Sequence, residues 1–308
     1  MAILFVSKLD GPDAWKAELT KHLPDEELRV YPEVGDERDI EFALAFQPPP
    51  GLLARLPNLR LIQSMGAGVD GIVSDPELPD VPLCRMVEPS LTSTMADYVL
   101  AAVGRVHRRF DRFAIAQSRR EWAFEVPRRA DQLAVGVLGL GELGGAVAER
   151  LRLNRYKVAG WSRTEKSLSG VETFYGERGL NAFLPSVEIV VALLPLTPST
   201  DQLLNDRLFA AMPRGSHLIN VGRGGLIDEE ALLRALDDGQ LAGATLDVFS
   251  HEPLPDDHPF WSRPEIFVTP HVSGFTLPDT AAPVAVENFR RCRAGESLLY
   301  LVDRAKGY

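Results

Sequence analysis

A glycine-rich segment follows an apolar run near the middle of the chain. It reads Gly139-Leu140-Gly141-Glu142-Leu143-Gly144, directly after the β-type run at residues 133–138. In a strand–turn–helix unit the first glycine allows a tight turn, the second lets the backbone approach a pyrophosphate, and the third permits close helix packing. The free N–H groups of the helix start also favour phosphate. The segment predicts a dinucleotide site, although the motif alone also fits a structural turn.

The residues after the next β-type run indicate which dinucleotide fits. An NAD-selective site usually has an acidic residue about 20 positions downstream, where it holds the ribose 2′-hydroxyl. Here that place reads Ser162-Arg163-Thr164. Arg163 can pair with a 2′-phosphate, and the two hydroxyl groups can add hydrogen bonds. We therefore expect NADP(H) to be preferred and NAD(H) to be the alternative, while an incidental arginine on a solvated turn is the competing interpretation.

Three residues with ionisable side chains, Arg223, Glu252 and His271, each follow a β-type run in the second half of the chain. Ligands of open parallel sheets bind where the strands end. An imidazole titrates near neutral pH and suits proton transfer, and a guanidinium suits a carboxylate. Taken singly, each residue also fits a surface charge or a structural histidine. The histidines at 251, 258 and 271 lack paired metal-ligand spacing, so no metal is expected.

Together these segments resemble the D-isomer-specific 2-hydroxyacid dehydrogenase family. The likeness covers essentially the whole chain and includes Met65-Gly66-Ala67-Gly68-Val69-Asp70 and Leu193-Leu194-Pro195-Leu196-Thr197. Within the family the chain is most similar to the bacterial glyoxylate/hydroxypyruvate reductases of type A. That similarity rests on residues 161–164, Asp247-Val248-Phe249, Glu252-Pro253-Leu254-Pro255 and the terminal residues 302–308.

The resemblance implies reduction of a small 2-oxo acid, such as glyoxylate or hydroxypyruvate, to a 2-hydroxy acid by hydride transfer. His271 would be the general acid, Glu252 would favour its imidazolium form, and Arg223 would hold the substrate carboxylate and polarise the carbonyl. Backbone N–H groups around Ala67 and Gly68 would receive the same carboxylate. Arg223 and His271 would also contact the cofactor. The remaining cofactor-binding residues would be Leu194, Pro195, Val221, Gly222, Asp247, which would face the nicotinamide amide, and Ser273.

One predicted pocket residue departs from the reductase pattern. Phe46 stands where the type A reductases tend to carry a tryptophan, so the substrate site is expected to be roomier or differently shaped. Two other functions stay open. A cofactor-sensing binding protein of the same fold would bind NADPH tightly without turnover. An NAD-linked biosynthetic dehydrogenase is the other, and Ser162 and Arg163 argue against it.

The elements that must hold these residues form two alternating series of strands and helices. β-Type runs lie at residues 3–6, 42–46, 59–64 and 81–84, and then at 133–138, 157–161, 189–194, 217–221, 243–248 and 266–269. Helical spacing lies between them, with Asp13, Asn205 and Asp228 as expected helix caps. This alternation predicts an α/β fold of two Rossmann-like, doubly wound parallel-sheet domains.

The chain is expected to leave the first domain and return to it. Residues 1–96 and 273–308 would form a flavodoxin-like substrate-binding domain, and residues 97–272 the NAD(P)-binding Rossmann domain. A proline-free stretch from Ser93 to Ala116 predicts one long helix between them. A helix around residues 281–293 would bring the C-terminus back to the first domain.

Composition limits the cell compartment and the partners. The chain has 308 residues, a net charge of −10 and only two cysteines, Cys84 and Cys292. No apolar run approaches the roughly 20 residues that span a bilayer, and the cysteines are too few for a disulfide framework. We expect a soluble cytoplasmic protein without membrane or nucleic-acid partners, whose basic residues 105, 109 and 112 form a helix surface. The family resemblance implies a homodimer.

Overall fold

The computed structural model describes residues 2–7, 11–304 and 306–307. Its strands are β1 (Ala2–Val6), β2 (Glu27–Val30), β3 (Ile40–Ala45), β4 (Leu61–Ser64), β5 (Leu83–Cys84), β6 (Ala134–Leu138), β7 (Lys157–Ser162), β8 (Glu172–Tyr175), β9 (Ile189–Ala192), β10 (Ser216–Asn220), β11 (Leu241–Leu246) and β12 (Ile266–Val268). Its α-helices are α1 (Pro12–His22), α2 (Asp70–Val73), α3 (Pro89–His107), α4 (Phe110–Ser118), α5 (Glu142–Leu153), α6 (Gly176–Phe183), α7 (Asp206–Ala211), α8 (Glu229–Asp237) and α9 (Pro278–Ala294). Among these helices, none is both long and apolar enough to cross a bilayer.

The chain forms two compact units, here called unit 1 (residues 1–91 and 275–308) and unit 2 (residues 92–274). The sequence places the crossings after residues 96 and 272, whereas the chain crosses after residues 91 and 274. Helix α3 runs through the first crossing without interruption. Its helical pattern therefore gives no sign of where one unit ends and the other begins.

Unit 1 is a parallel sheet in the order β2-β1-β3-β4-β5. This is the flavodoxin-like order, in which the chain reverses direction between β1 and β3. Trp15 and Leu19 of α1 are buried against one face of the sheet. The rings of Phe42 and Phe289 stack there with their centroids 4.7 Å apart. Since Phe289 belongs to α9, the predicted return of the C-terminal helix to the first domain is confirmed.

Unit 2 is a parallel sheet in the order β12-β11-β10-β9-β6-β7-β8. Its central strands are apolar on both faces; β9, for example, is buried along its full length. Such continuous apolar strands are typical of parallel sheets covered by helices on both sides. The chain begins at β6 and reverses direction between β6 and β9. The predicted doubly wound fold is confirmed, and its ligand-binding edge lies at the ends of these two strands.

Two edge strands were not predicted from the sequence. β2 and β8 lie at the margins of their sheets, and none of their residues is fully buried. Edge strands need no apolar run, because one side of the strand faces solvent. The predicted long helix from Ser93 to Ala116 was also wrong. Two helices, α3 and α4, occupy this stretch, and they are separated at Arg109, whose φ of +54° is a left-handed conformation that cannot continue an α-helix.

Helix caps explain where the helices of unit 2 begin. The side chain of Asn205 accepts the N–H of Leu208 at the start of α7, and Asp228 accepts the N–H of Ala231 at the start of α8. Both caps are as the sequence predicts. In unit 1, however, Gly11 is the cap of α1, and Asp13 lies inside its first turn. There the carboxylate still favours the helix through its dipole.

Candidate active site

The glycine turn follows β6 and opens α5. Gly139 has φ of +114°, and a Cβ there would lie 2.7 Å from the carbonyl oxygen of Leu193. At Gly144 a Cβ would lie 1.7 Å from the carbonyl oxygen of Gly139. Beside Gly141, the cap of α5, no described residue comes within 4 Å of the Cβ position. The turn thus leaves an open helix start, which fits the pyrophosphate of a dinucleotide.

The turn after β7 carries the residues that would meet a 2′-phosphate. Ser162 is buried, and its hydroxyl donates to the carbonyl oxygen of Thr164 at 2.6 Å. This bond fixes the turn and uses the only proton of the Ser162 hydroxyl. Arg163 and Thr164 are exposed. They are therefore better placed than Ser162 to donate hydrogen bonds to a phosphate.

Two further loops border the glycine turn. A Cβ at Gly222 would lie 2.9 Å from the carbonyl oxygen of Leu194, so the loop after β9 packs tightly on the loop after β10. These strands are adjacent to one another, and β9 is also adjacent to β6. Their carboxyl ends meet at one edge of the sheet. The structure thus brings Leu194, Pro195, Val221 and Gly222 to the edge that carries the glycine turn.

Asn220 shapes the loop that presents Arg223. It ends β10 and is fully buried. Its side-chain amide donates to the carbonyl oxygen of Arg223 at 2.8 Å, and its side-chain oxygen accepts the N–H of Gly222 at 3.1 Å. The Arg223 guanidinium is partly buried and donates through Nη1 to the carbonyl oxygen of Gly222 at 2.8 Å. The loop therefore holds the backbone on both sides of the arginine.

His271 and Glu252 form a hydrogen-bonded pair. Nδ1 of His271 lies 2.7 Å from Oε2 of Glu252, and the two side chains are 27% and 31% exposed. The other carboxylate oxygen of Glu252 accepts the N–H of Phe249 at 2.9 Å. With Nδ1 occupied, Nε2 is the ring nitrogen left to serve a substrate. This is the arrangement that a proton donor backed by a carboxylate requires.

Glu252 is ionised more readily than an ordinary glutamate. Burial raises its pKa, but the hydrogen bonds from His271 and from the N–H of Phe249 lower it by more, and the net pKa is lowered. The positive charge of Arg223 acts in the same direction. The guanidinium therefore acts electrostatically on Glu252, which is itself bonded to His271. These three predicted catalytic residues are here called the charged cluster.

Asp247 lies behind His271 and is fully buried. Its Oδ1 accepts the Thr269 hydroxyl at 2.6 Å and the N–H of Val272 at 2.9 Å, and its Oδ2 accepts the N–H of Ser273 at 2.8 Å. These three bonds come from the loop that carries His271, so Asp247 shapes that loop. Its contact with the nicotinamide amide stays a prediction, as does the contact of Ser273 with the cofactor.

The glycine loop of unit 1 is built around Ser64. The Ser64 hydroxyl lies 3.0 Å from the carbonyl oxygen of Gly66 and 3.4 Å from that of Gly68. Because a trans peptide directs its N–H opposite to its C=O, the N–H of Ala67 points away from Ser64. The ring of Phe46 lies 3.3 Å from the Cβ position of Gly66. Phe46 therefore packs against the loop that contains Ala67 and Gly68, the other predicted substrate-binding residues.

The roles of several site residues were not predicted from the sequence. Asn220 had no assigned role, and Thr269 was noted only as the last residue of a β-type run. Tyr98 of α3 also reaches the site, since its hydroxyl lies 2.6 Å from that of Thr269. A polar residue at the end of a buried strand could have singled out Asn220, because a buried amide needs partners. No comparable signal marks Tyr98, which is separated from Thr269 by 171 positions.

A Rossmann sheet with an open glycine turn and a histidine–carboxylate pair at the same sheet defines a dinucleotide-dependent oxidoreductase. The chain belongs to the D-isomer specific 2-hydroxyacid dehydrogenase family, because the model of that family's NAD binding domain matches residues 100–273. A curated relative, glyoxylate/hydroxypyruvate reductase A of Serratia proteamaculans, is 39% identical over 100% of both chains.

Solved structures agree with this family over the whole chain. A D-isomer specific 2-hydroxyacid dehydrogenase from Xanthobacter autotrophicus, in complex with NADPH and MES, is 44% identical with a TM-score of 0.96. The alignment covers 100% of this chain and 99% of that one. An NADPH-dependent glyoxylate/hydroxypyruvate reductase from Sinorhizobium meliloti, in complex with NADP and sulfate, is 34% identical with a TM-score of 0.94 and full coverage of both chains.

Proposed function

We propose that the protein is an NADPH-preferring reductase of small 2-oxo acids, glyoxylate, hydroxypyruvate or a similar acid, with His271 as the general acid. The observation that carries this proposal is the 2.7 Å bond between His271 and Glu252 within the charged cluster that includes Arg223. The relatives from Serratia and Sinorhizobium, which are described as glyoxylate/hydroxypyruvate reductases, support the substrate class.

The proposed mechanism divides the reaction between cofactor and protein. Bound reduced nicotinamide supplies the hydride to the carbonyl carbon. The proton comes from Nε2 of His271, because Nδ1 is held by Glu252. The Glu252 carboxylate stabilises the imidazolium before transfer and keeps the proton on Nδ1 afterwards. Arg223, through its planar fork of donors, holds the substrate carboxylate and polarises the carbonyl group.

The decisive experiment is a panel of 2-oxo acids assayed with NADPH and with NADH. We expect NADPH oxidation with glyoxylate or hydroxypyruvate, and a slower reaction with NADH. Tight NADPH binding without turnover of any acid would instead favour a cofactor-sensing protein. Faster turnover with the NAD couple in the oxidative direction would favour a biosynthetic dehydrogenase.

A matched pair of histidine variants tests the acid. His271→Asn should lower kcat by about 10² to 10⁴-fold, which is the usual contribution of a general acid. The chain offers a control, because His258 also pairs with a glutamate, Glu229, at 3.2 Å. His258→Asn should keep the wild-type rate. Equal losses in the two variants would contradict the assignment of His271.

The cofactor preference rests on Arg163. Arg163→Ala should raise the KM for NADPH about tenfold, the effect of losing one charge-assisted hydrogen bond, and should leave the KM for NADH unchanged. Arg207, an exposed arginine of α7, provides the control for loss of surface charge. If Arg207→Ala and Arg163→Ala change both KM values equally, then Arg163 does not read the 2′-phosphate.

We also propose that the protein forms a homodimer through unit 2. Between α4 and β6, the side chains of Trp122, Phe124 and Val126 are 96%, 82% and 74% exposed. Apolar patches of this kind usually mark interaction surfaces. The same unit has a groove of about 540 Å³ that is lined in part by Phe110 and Phe113. One copy therefore carries an exposed apolar segment beside a groove of mixed apolar and charged lining, and the two together could form a two-fold interface.

Light scattering after size-exclusion chromatography tests the dimer. The wild type should have twice the mass of one chain, and Trp122→Ser combined with Phe124→Ser should have the mass of one. A wild type that is monomeric at micromolar concentration would overturn the proposal. Substitution of Trp261, which is exposed elsewhere in unit 2, is the control for loss of a surface tryptophan.

The cytoplasmic location stays a prediction. Cys84 and Cys292 are both free thiols. Free thiols persist in reducing compartments, which supports this part of the proposal. Cell fractionation with an activity assay would test it.

A further inference from the structure

A row of three polar side chains lies behind the loop that carries His271. The hydroxyl oxygens of Tyr98 and Thr269 lie 2.6 Å apart, and the Thr269 hydroxyl donates to Oδ1 of Asp247 at 2.6 Å. A threonine hydroxyl has only one proton to donate. Because that proton goes to Asp247, Thr269 must accept the proton of Tyr98. The hydrogen bonds therefore run in one direction, from Tyr98 through Thr269 to Asp247.

The loop held by this row has a strained backbone at His271. His271 has φ of +54°, a left-handed conformation that is unfavourable for a non-glycine residue. Such a conformation persists only where the surroundings hold it. Here the N–H of His271 donates to the carbonyl oxygen of Asp247 at 2.8 Å, and the Asp247 carboxylate accepts the N–H groups of the next two residues. Asp247 therefore stabilises the left-handed backbone conformation of His271.

The Asp247 carboxylate can stabilise this conformation only if it is held in one orientation. The Asp247 carboxylate is fully buried, and both of its oxygens accept N–H groups of the loop. The Thr269 hydroxyl is its side-chain partner, and Tyr98 fixes the direction of that hydroxyl. Burial raises the pKa of Tyr98 to about 12, so the phenol stays a donor throughout the usual assay range.

We propose that Tyr98 is a positioning residue for the reaction, which acts through Thr269 and Asp247 to keep His271 in the conformation that pairs it with Glu252. This inference rests on the proposed function. Tyr98 belongs to α3 and needs no contact with substrate or cofactor for this role. Its removal should disturb proton transfer more than the binding of either ligand.

The first test compares two tyrosine-to-phenylalanine variants. Tyr98→Phe should lower kcat about tenfold, equivalent to one lost hydrogen bond, with KM for the 2-oxo acid and for NADPH within about twofold of wild type. The control is Tyr156, a partly buried tyrosine of unit 2 whose hydroxyl lies 3.1 Å from Nδ1 of His107. Tyr156→Phe should keep the wild-type kcat. A kcat for Tyr98→Phe equal to that of Tyr156→Phe would overturn the proposal.

The second test compares a variant that keeps the hydroxyl group at position 269 with a variant that removes it. Thr269→Ser keeps the donor and acceptor and should retain most of the wild-type kcat, whereas Thr269→Val should lose as much as Tyr98→Phe. In the double variant, Tyr98→Phe with Thr269→Val, the loss should be no larger than in the worse single variant, since both interrupt one row. Additive losses, or equal losses in the serine and valine variants, would overturn the proposal. If Tyr98→Phe does not fold, the serine–valine comparison still decides.

These outcomes are distinguishable from failure of the proposed function. If the wild type reduces no 2-oxo acid, then the proposed function fails, and the positioning role, which rests on it, fails with it. If the wild type is active and Tyr98→Phe matches it in kcat, then only the positioning role fails.

Discussion

The backbone of Gly144 lies against the carbonyl group of Gly139, so closely that a Cβ on Gly144 would be 1.7 Å from the carbonyl oxygen. Helix α5 can begin beside the glycine turn only because this position has no side chain. The contact fixes the open helix start that suits a pyrophosphate. It also makes Gly144 the most sensitive position of the turn, since its neighbour is backbone and cannot rotate away.

Gly144→Ala should therefore disrupt both stability and cofactor binding. Overpacking against backbone should lower the free energy of unfolding by about 3 kcal/mol or more. Gly145, the next residue of α5, is the matched control, because no described residue lies within 4 Å of its Cβ position. Gly145→Ala should stabilise the helix by about 0.5 to 1 kcal/mol. Urea unfolding and NADPH fluorescence titration would measure the two effects, and equal behaviour of the two variants would contradict this packing.

The Glu252 carboxylate should matter to catalysis more than to substrate binding. Glu252→Gln replaces a charge-assisted hydrogen bond to His271 by a neutral one, and should lower kcat by about 10 to 100-fold. The KM for the 2-oxo acid should be nearly unchanged. Steady-state kinetics in the reductive direction checks both values. A variant with wild-type kcat would show that the carboxylate does not support the imidazolium.

Stability in acid should also depend on Glu252. Its pKa in the folded protein is lowered, because the hydrogen bonds from His271 and Phe249 outweigh the effect of burial. The unfolded chain therefore binds this proton more readily, and the stabilisation is present above the ordinary pKa of 4.5 and is lost as pH falls through the lowered value. The free energy of unfolding of Glu252→Gln should fall less steeply than that of wild type in this range. If the free energy of unfolding falls equally steeply with pH in the two proteins, then Glu252 does not stabilise the fold in its ionised form.

The strands and the charged site residues were predictable for a common reason. Buried parallel strands such as β9 consist almost wholly of apolar residues, and catalytic residues must be of particular chemical types. The edge strand β8 and the break at Arg109 lack such signals, because neither depends on an apolar run or on a proline. Residue types, together with the family resemblance, led to the prediction of His271 and Glu252, and the structure adds the 2.7 Å bond between them.

Residues that position the site were less visible in the sequence. Thr269 donates to Asp247 from 22 positions away, and Tyr98 reaches Thr269 from 171 positions away. Such partners meet only after the sheet has formed. Tyrosine and threonine are also common in ordinary helices and strand ends. Their roles depend on tertiary contacts rather than on local spacing, and a single sequence carries no record of those contacts.

His217 should make the protein sensitive to acid. It is buried in β10, and burial, together with the positive charge of Arg105, lowers its pKa to about 3. Its ordinary value is 6.5, so the unfolded chain takes up a proton that the folded chain refuses. The contribution of His217 to the free energy of unfolding is fully present above pH 6.5. It is lost as pH falls toward 3, by at most about 1.4 kcal/mol per pH unit.

A non-titrating variant isolates this effect. His217→Gln retains an amide that can bond to the Thr245 hydroxyl, which lies 3.2 Å from Nε2 of the histidine. Its free energy of unfolding should be lower than that of wild type at pH 8, but it should depend less on pH between 6.5 and 4. Denaturant unfolding at several pH values gives both quantities. An unchanged slope would mean that His217 does not control the acid response.

Asn220 should support catalysis by holding the loop of Arg223 in place, without contacting the substrate itself. Its side chain bonds to the backbone of Gly222 and Arg223 at 3.1 and 2.8 Å, so Asn220→Ala should release the loop and lower kcat/KM by about 10 to 100-fold. Gln240 is the matched control, since its amide donates to the carbonyl oxygens of Phe209 and Met212 at 2.8 and 2.9 Å. Gln240→Ala should lower the free energy of unfolding similarly and keep kcat/KM. If both variants lose activity only in proportion to stability, then Asn220 supports the fold rather than the position of Arg223.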